Sequence, residues 1–210
     1  MKFTKVIKSA LTLTLCCGAL MLLSACHEEE KAQMVSDAAA FCQNFKDMDF
    51  QAMYDLTHDK TAYFNDIYVP GAEGSEILFK SMADKLEYEI GECEIDGKNA
   101  SVSAHLSNVD MNAAMSDVLN DYFERCEADP DNIDSISIDE IIDEHVNAED
   151  AQRRDADTVF NFIKQDGKWV LESNVMIYDD VTGGYMSYYF QANMAVDSNF
   201  STEDIETTTE

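Results

Sequence analysis

The amino-acid sequence predicts an α+β domain in which an antiparallel sheet of about four strands packs on N-terminal helices. Three observations predict it. An apolar stripe at helical spacing, Met34, Ala38, Phe41, Cys42 and Phe45, opens the domain. Two later stretches alternate apolar and polar residues around an Asp-Gly pair, first at Asp96-Gly97 and again at Asp166-Gly167. Between these hairpins lie segments with helical spacing, each preceded by a residue suited to cap a helix.

In chain order, 26–33 is charged and is read as a tether, and the helix carrying Phe41 follows it. Asp49 is placed to cap a second, short helix in which Phe50, Met53 and Tyr54 share a face. Pro70 and Gly71 mark a loop, and Ser75 is placed to start a helix running to about Lys85. Leu86, Tyr88 and Ile90 then alternate with Glu87 and Glu89. Cys93 and Ile95 continue on the apolar side only if the phase slips, so a β-bulge is predicted near Gly91. Asp96-Gly97 is read as the two-residue turn, and Ala100, Val102, Ala104 and Leu106 as the buried face of the return strand.

Asp110 is placed to cap a helix with Met111, Met115, Val118, Leu119, Tyr122 and Cys126 on one side. An acidic loop spans 127–137. Ser137 and Glu140 have capping-box spacing ahead of Ile141, Ile142 and Val146. The Asp166-Gly167 turn pairs Phe162 with Leu171 and Lys164 with Trp169 on one face, and Ile163 with Val170 on the other. Residues 175–196 form an aromatic extension that includes Tyr185, Tyr188, Tyr189 and Phe190. It is expected either to dock on the core as an added helix or strand, or to stay partly exposed as a partner surface. The acidic stretch 197–210 is expected to be disordered.

The first residues specify an address. Lys2, Lys5 and Lys8 precede an apolar span from Ser9 to Ala25 that is too short for a permanent transmembrane helix. It ends in Leu23-Ser24-Ala25-Cys26, which matches the bacterial lipobox. Small residues at 24 and 25 suit an extended backbone entering a signal peptidase. The Cys26 thiol would take a diacylglyceryl group and become the new N-terminus, with two acyl chains for stable anchoring. Residues 1–25 are therefore read as a lipoprotein signal peptide, and the expected location is the extracytoplasmic face of a cell membrane, held by lipid.

Fourteen basic residues against 42 acidic ones give a formal charge of −28, and loss of 1–25 removes three lysines and no acid, leaving −31. A surface so acidic repels nucleic acid and anionic headgroups, which excludes nucleic acid as a partner. It suits cations, basic peptides or a polycationic cell-envelope component, and it also keeps an exported domain soluble. Beyond Cys26 the cysteines are Cys42, Cys93 and Cys126, compatible with one disulfide and one free thiol or with three thiols.

The run Phe160-Asn-Phe-Ile-Lys-Gln-Asp-Gly-Lys-Trp-Val-Leu171 and the helix–Lys46-Asp-Met-Asp-Phe50–helix opening resemble the cystatin-like, nuclear-transport-factor-two-like α+β superfamily, especially its small bacterial lipoproteins of unknown function. The resemblance covers 34–174, with 109–155 as a helical insertion. It implies a strongly curved sheet wrapped around helices, with a pocket between them. The superfamily contains isomerases, dehydratases and hydrolases as well as non-catalytic binding domains, so membership decides little about chemistry.

The chain's own chemistry points away from catalysis. His27, His58, His105 and His145 have no tight metal spacing, His105 is expected on a wet strand face, and His145 is expected to be partly buried. Counted as a calcium loop from Asp129, the segment has Ile133 at position 5 and Asp134 where glycine is required. No phosphate-loop, dinucleotide or nucleophile-elbow motif occurs, so no cofactor, metal or catalytic residue is assigned. Glu87, Glu89, Glu92 and Glu94 are read as a solvated face. The expected function is a membrane-anchored, non-catalytic binding or scaffold domain. Its rivals are an enzyme using a pocket lined by Phe41, Tyr88, Phe162 and Trp169, and a weak calcium-binding adhesion module.

Overall fold

The computed structural model describes residues 27–58, 60, 62–65 and 67–203, with the backbone alone for 195–203. The leader, Cys26 and the last seven residues lie outside the described residues. The fold is α+β, with a curved four-stranded antiparallel sheet in the order β1-β2-β3-β4. In sequence the elements are α1 (27–46), α2 (Phe50–Leu56), α3 (Glu73–Lys85), β1 (Glu87–Asp96), β2 (Asn99–Val109), α4 (Met111–Ala128), α5 (Ile138–Val146), β3 (Arg153–Gln165), β4 (Lys168–Leu171), α6 (Val175–Val181) and α7 (Tyr185–Glu203).

The caps form where the sequence places them. The Asp49 side chain accepts from the Ala52 amide, Asp110 from Asn112 and Ala113, and Ser137 from Glu140. Ser75 acts differently. The α3 helix begins at Glu73, so Ser75 lies inside it, and its hydroxyl accepts the Val69 amide at 2.9 Å. Glu76 accepts from Gly71 in the same way, so this first turn closes the preceding loop rather than capping its own helix. On α4 the buried face is Met111, Ala114 and Val118, while Leu119 is exposed. The observed stripe follows i, i+3, i+7, which turns position 119 outward.

Both hairpins form. The β1–β2 register shifts between Ile90 and Cys93, the bulge that the alternation around Gly91 requires. The first turn lies one residue later than the Asp96-Gly97 reading. Asp96 pairs with Asn99, and Gly97-Lys98 are the two loop residues, with Gly97 at φ 64. This register sets Ile95 opposite Ala100, where the earlier turn would have set it opposite Lys98. The second hairpin has Asp166 (φ 49) and Gly167 (φ 80) in its turn, with Phe162 opposite Leu171, Ile163 opposite Val170 and Lys164 opposite Trp169. Positive φ at both turn residues follows the right-handed strand twist.

Two chain segments differ from expectation in a way that matters for function. Residues 27–33 are the first turns of α1, not a tether. The chain here is rich in Glu, Lys, Ala and Gln, all good helix formers, and Glu30 is held by the second hairpin. Lys164 Nζ donates to Glu30 Oε1 at 2.6 Å, and Trp169 Nε1 donates to Glu30 Oε2 at 3.0 Å.

The aromatic extension joins the core through Tyr178, Tyr185 and their neighbours, while Phe190 stays exposed. Tyr178 of α6 is fully buried, with ring centroids 5.2 Å from Phe41, 5.3 Å from Phe64 and 4.6 Å from Tyr63. Phe41 also meets Phe160 of β3 edge-on at 5.7 Å. Ile177, Val181, Tyr185 and Met186 are buried beside it. Past Gly184 no glycine or proline interrupts the chain, and the α7 backbone stays helical to Glu203, through part of the stretch expected to be disordered. Cys42, Cys93 and Cys126 are free thiols, and burial pushes Cys42 up to about 12, so that thiol is inert.

Tyr178→Ala is expected to cost about 3–5 kcal/mol through the cavity it opens. A chain ended at Asn174 is expected to show no cooperative urea transition, because it lacks the residue that closes α1 onto the sheet.

Candidate ligand groove

Inward-facing residues of β3 alternate, so Arg154, Ala156, Thr158, Phe160 and Phe162 point toward the helices. Phe160 and Phe162 fill the core, and the strand becomes polar only near its start. There α6 crosses with two adjacent carboxylates. Arg154 donates to Asp179 Oδ2 at 3.1 Å and lies 3.6 Å from Asp180 Oδ1, and the Thr158 hydroxyl donates to Asp180 Oδ2 at 2.7 Å.

The segment after α6 is pinned from several sides. Asn174 caps α6 by accepting the Met176 amide. Asn108, wholly buried at the end of β2, donates to the carbonyls of Met82 and Val181. The Gly183 carbonyl accepts from Met111, and a methyl at Gly183 would overlap the Val109 carbonyl oxygen. A methyl at Gly184 would overlap the Arg154 guanidinium. Asp179 then turns its other oxygen to the Ser187 amide at 2.8 Å, so a carboxylate from α6 caps the start of α7.

Above this polar knot α6 and α7 enclose a groove of ≈ 260 Å³ lined by Val175, Met176, Asp179, Met186, Ser187, Phe190, Gln191 and Met194. Its rim is open and apolar: Met176 is 56% exposed, Phe190 46% and Met194 64%. Methionine and phenylalanine side by side make an adaptable surface for an apolar guest. Asp179, only 5% exposed, has both oxygens committed to Arg154 and Ser187, so it holds structure and is not poised as a base. Burial raises the Asp180 carboxyl above its usual range, with Thr158 and Arg154 pulling it partly back.

The four residues expected to line one pocket are not brought together. Phe41 and Phe162 lie inside the packed core. Tyr88, on edge strand β1, donates to Gln43 of α1, and Trp169, on edge strand β4, borders a shallow groove with Glu29, Glu30, Gln33 and Asp37. Phe41 packs where a cavity would otherwise sit, because the Tyr178 ring from the C-terminal segment meets it. Cys26 lies outside the described residues.

His105 is exposed on the outer sheet face beside Asp157, at 2.9 Å. His145 is partly buried, 3.0 Å from Asp121, joining α5 to α4. In the acidic loop, Asp129 accepts from the Asn132 side chain with both oxygens, and Ser137 caps α5, so two of the supposed calcium ligands are engaged in local hydrogen bonds. Among the described residues no three His, Cys, Asp or Glu side chains are grouped to hold a metal ion. Sequence reasoning missed Arg154, Asp179 and Asp180. The available signal was an Asp-Asp pair inside an otherwise apolar stretch, and the chain's sole adjacent arginine pair, Arg153-Arg154.

Asp180 titrates against folding. Its folded value lies above the ordinary 3.8, so the folded state loses stability as pH rises from below 3.8 through that raised value. Asp180→Asn is expected to melt higher than the parent at pH 7, with the difference closing below pH 3.8. Asp179→Ala is expected to cost about 1–2 kcal/mol, because it removes the carboxylate that caps α7 and leaves Arg154 with Asp180 alone. Thermal melts across pH check both.

No family model matches the chain, and no curated protein matches it. Among solved structures it is similar to the crystal structure of a suspected lipoprotein (ycdA) from Bacillus subtilis subsp. subtilis str. 168, at 9% identity and a TM-score of 0.36. That match covers 54% of this chain and 38% of the other, and the score is below the level at which two chains share a fold.

Proposed function

We propose that this protein is a lipoprotein, acylated at Cys26 and held on the extracytoplasmic face of a membrane. Its cystatin-like, nuclear-transport-factor-two-like domain binds a basic, partly apolar protein segment in the α6–α7 groove and catalyses no reaction. The address rests on Leu23-Ser24-Ala25-Cys26 behind a basic and apolar leader. Among the described residues no helix is long and apolar enough to cross a membrane.

The binding role rests on one observation above others: Met176, Phe190 and Met194 stand open on a rigid floor whose carboxylate is already used for structure. An apolar rim on a domain with a formal charge near −31 after leader removal selects for a guest that is apolar in part and basic overall. Methionine side chains adapt to such a guest without reordering the backbone.

Mass spectrometry of the protein from its own membrane is expected to show a diacylglyceryl group on Cys26 and no residues 1–25; an unmodified Cys26 removes the address. A photo-crosslinker at position 190 is expected to capture a basic segment. Met176→Lys is expected to lower that capture at least about tenfold while moving stability by less than about 0.5 kcal/mol, as is usual at exposed sites. Equal capture by both proteins would show that the partner does not bind in the α6–α7 groove.

A further inference from the structure

The first turn of α1 is docked, and this fixes which end of the domain faces the bilayer. We propose that the end formed by Glu30, the β1–β2 turn and the β3–β4 turn lies against the membrane surface, and that the α6–α7 groove is held at the opposite end, facing away. The proposal rests on acylation of Cys26.

Four residue steps, through His27, Glu28 and Glu29, lead from Cys26 to Glu30. As helix they span about 6 Å, and fully extended at most about 14 Å. Glu30 is bound by Lys164 and Trp169, and the Lys164 ammonium also lies 5.0 Å from the Trp169 ring centroid. The acyl chains therefore cannot move far from the second hairpin. Its partner turn is beside it, since the Lys164 amide donates to the Lys98 carbonyl at 2.8 Å. A flexible linker would leave the domain free to rotate; a helix bound in its first turn does not.

Chemistry at this end agrees. Lys31, Lys98, Lys164 and Lys168 gather here, four of the eleven basic residues that remain after the leader, together with the chain's single tryptophan. Glu28, Glu29, Glu30, Glu94, Asp96 and Asp166 lie here too, so the end is not basic and does not attract lipid on its own. The acyl chains supply the attraction, and the lysines and the indole suit the polar headgroup layer. From Gln165 back to Arg154, β3 runs for about 35 Å at the usual rise per residue. The ion pair under the groove sits at that far end, beyond the reach of the headgroups.

Trp169 reports its own position. The acylated full-length protein, purified from membranes, is reconstituted in phosphatidylcholine vesicles containing a headgroup-spin-labelled lipid. Trp169 emission is expected to fall roughly twofold or more, given the reach from Cys26. In a protein that keeps Trp169 and carries the fluorescent unnatural amino acid acridonylalanine at position 190, emission from that residue is expected to be unaffected. Glu30→Ala is expected to bring the two positions closer together in quenching. Flotation with intact acylation but equal quenching at 169 and 190, or none at either, overturns the orientation and leaves the lipoprotein reading standing. Failure to float, with Cys26 unmodified, overturns both.

Discussion

The architecture depends on one aromatic ring, Tyr178, seated between α1 and the sheet. Phe41, Phe64 and Tyr63 meet it from three sides, and Phe160 touches Phe41 from the strand beneath. Because the ring belongs to α6, burying it fixes that helix across the mouth of the sheet. Everything functional follows from this placement. Asp179 and Asp180, next in sequence, are thereby delivered to Arg154 and Thr158, and Asp179 reaches on to cap α7. The groove is the space left when two helices are locked at their near ends and open at their far side.

The polar knot is a structural device more than a reactive one. A buried ion pair adds little net stability by itself, since desolvation offsets its attraction. Here it selects one arrangement: Arg154 reaches Asp179 only if Gly184 has no side chain, and Gly183 passes Val109 only for the same reason. Beneath the methionine rim, the packed floor fixes the geometry of the groove. At the other end, Glu30 ties the first turn of α1 to the second hairpin.

Local signals carried most of the fold. The second hairpin was legible to single-residue register because its turn has two residues able to take positive φ and its flanks alternate without interruption. The first was displaced by one position because Asp96-Gly97 and Gly97-Lys98 are both acceptable turns, and the choice lies with the Ile95–Ala100 pairing across the sheet. The caps of α2, α4 and α5 were readable for the same reason: donor and acceptor sit within three residues. What was not legible is long-range. Residues 27–33 look like a tether until Lys164 and Trp169 arrive from more than 130 residues away. Likewise Tyr178 looks peripheral until Phe41 and Phe64 surround it. The candidate site suffers most, because a groove between helices has no sequence period of its own.

Through Tyr178, α6 is part of the folding core and holds the groove in place. Native-state hydrogen exchange of the amides of 177–187 tests it most directly. They are expected to open with the same free energy as the paired amides of β2 and β3, in the global unfolding event. Exchange of that segment well before the strands, as a separate cooperative unit, would contradict it.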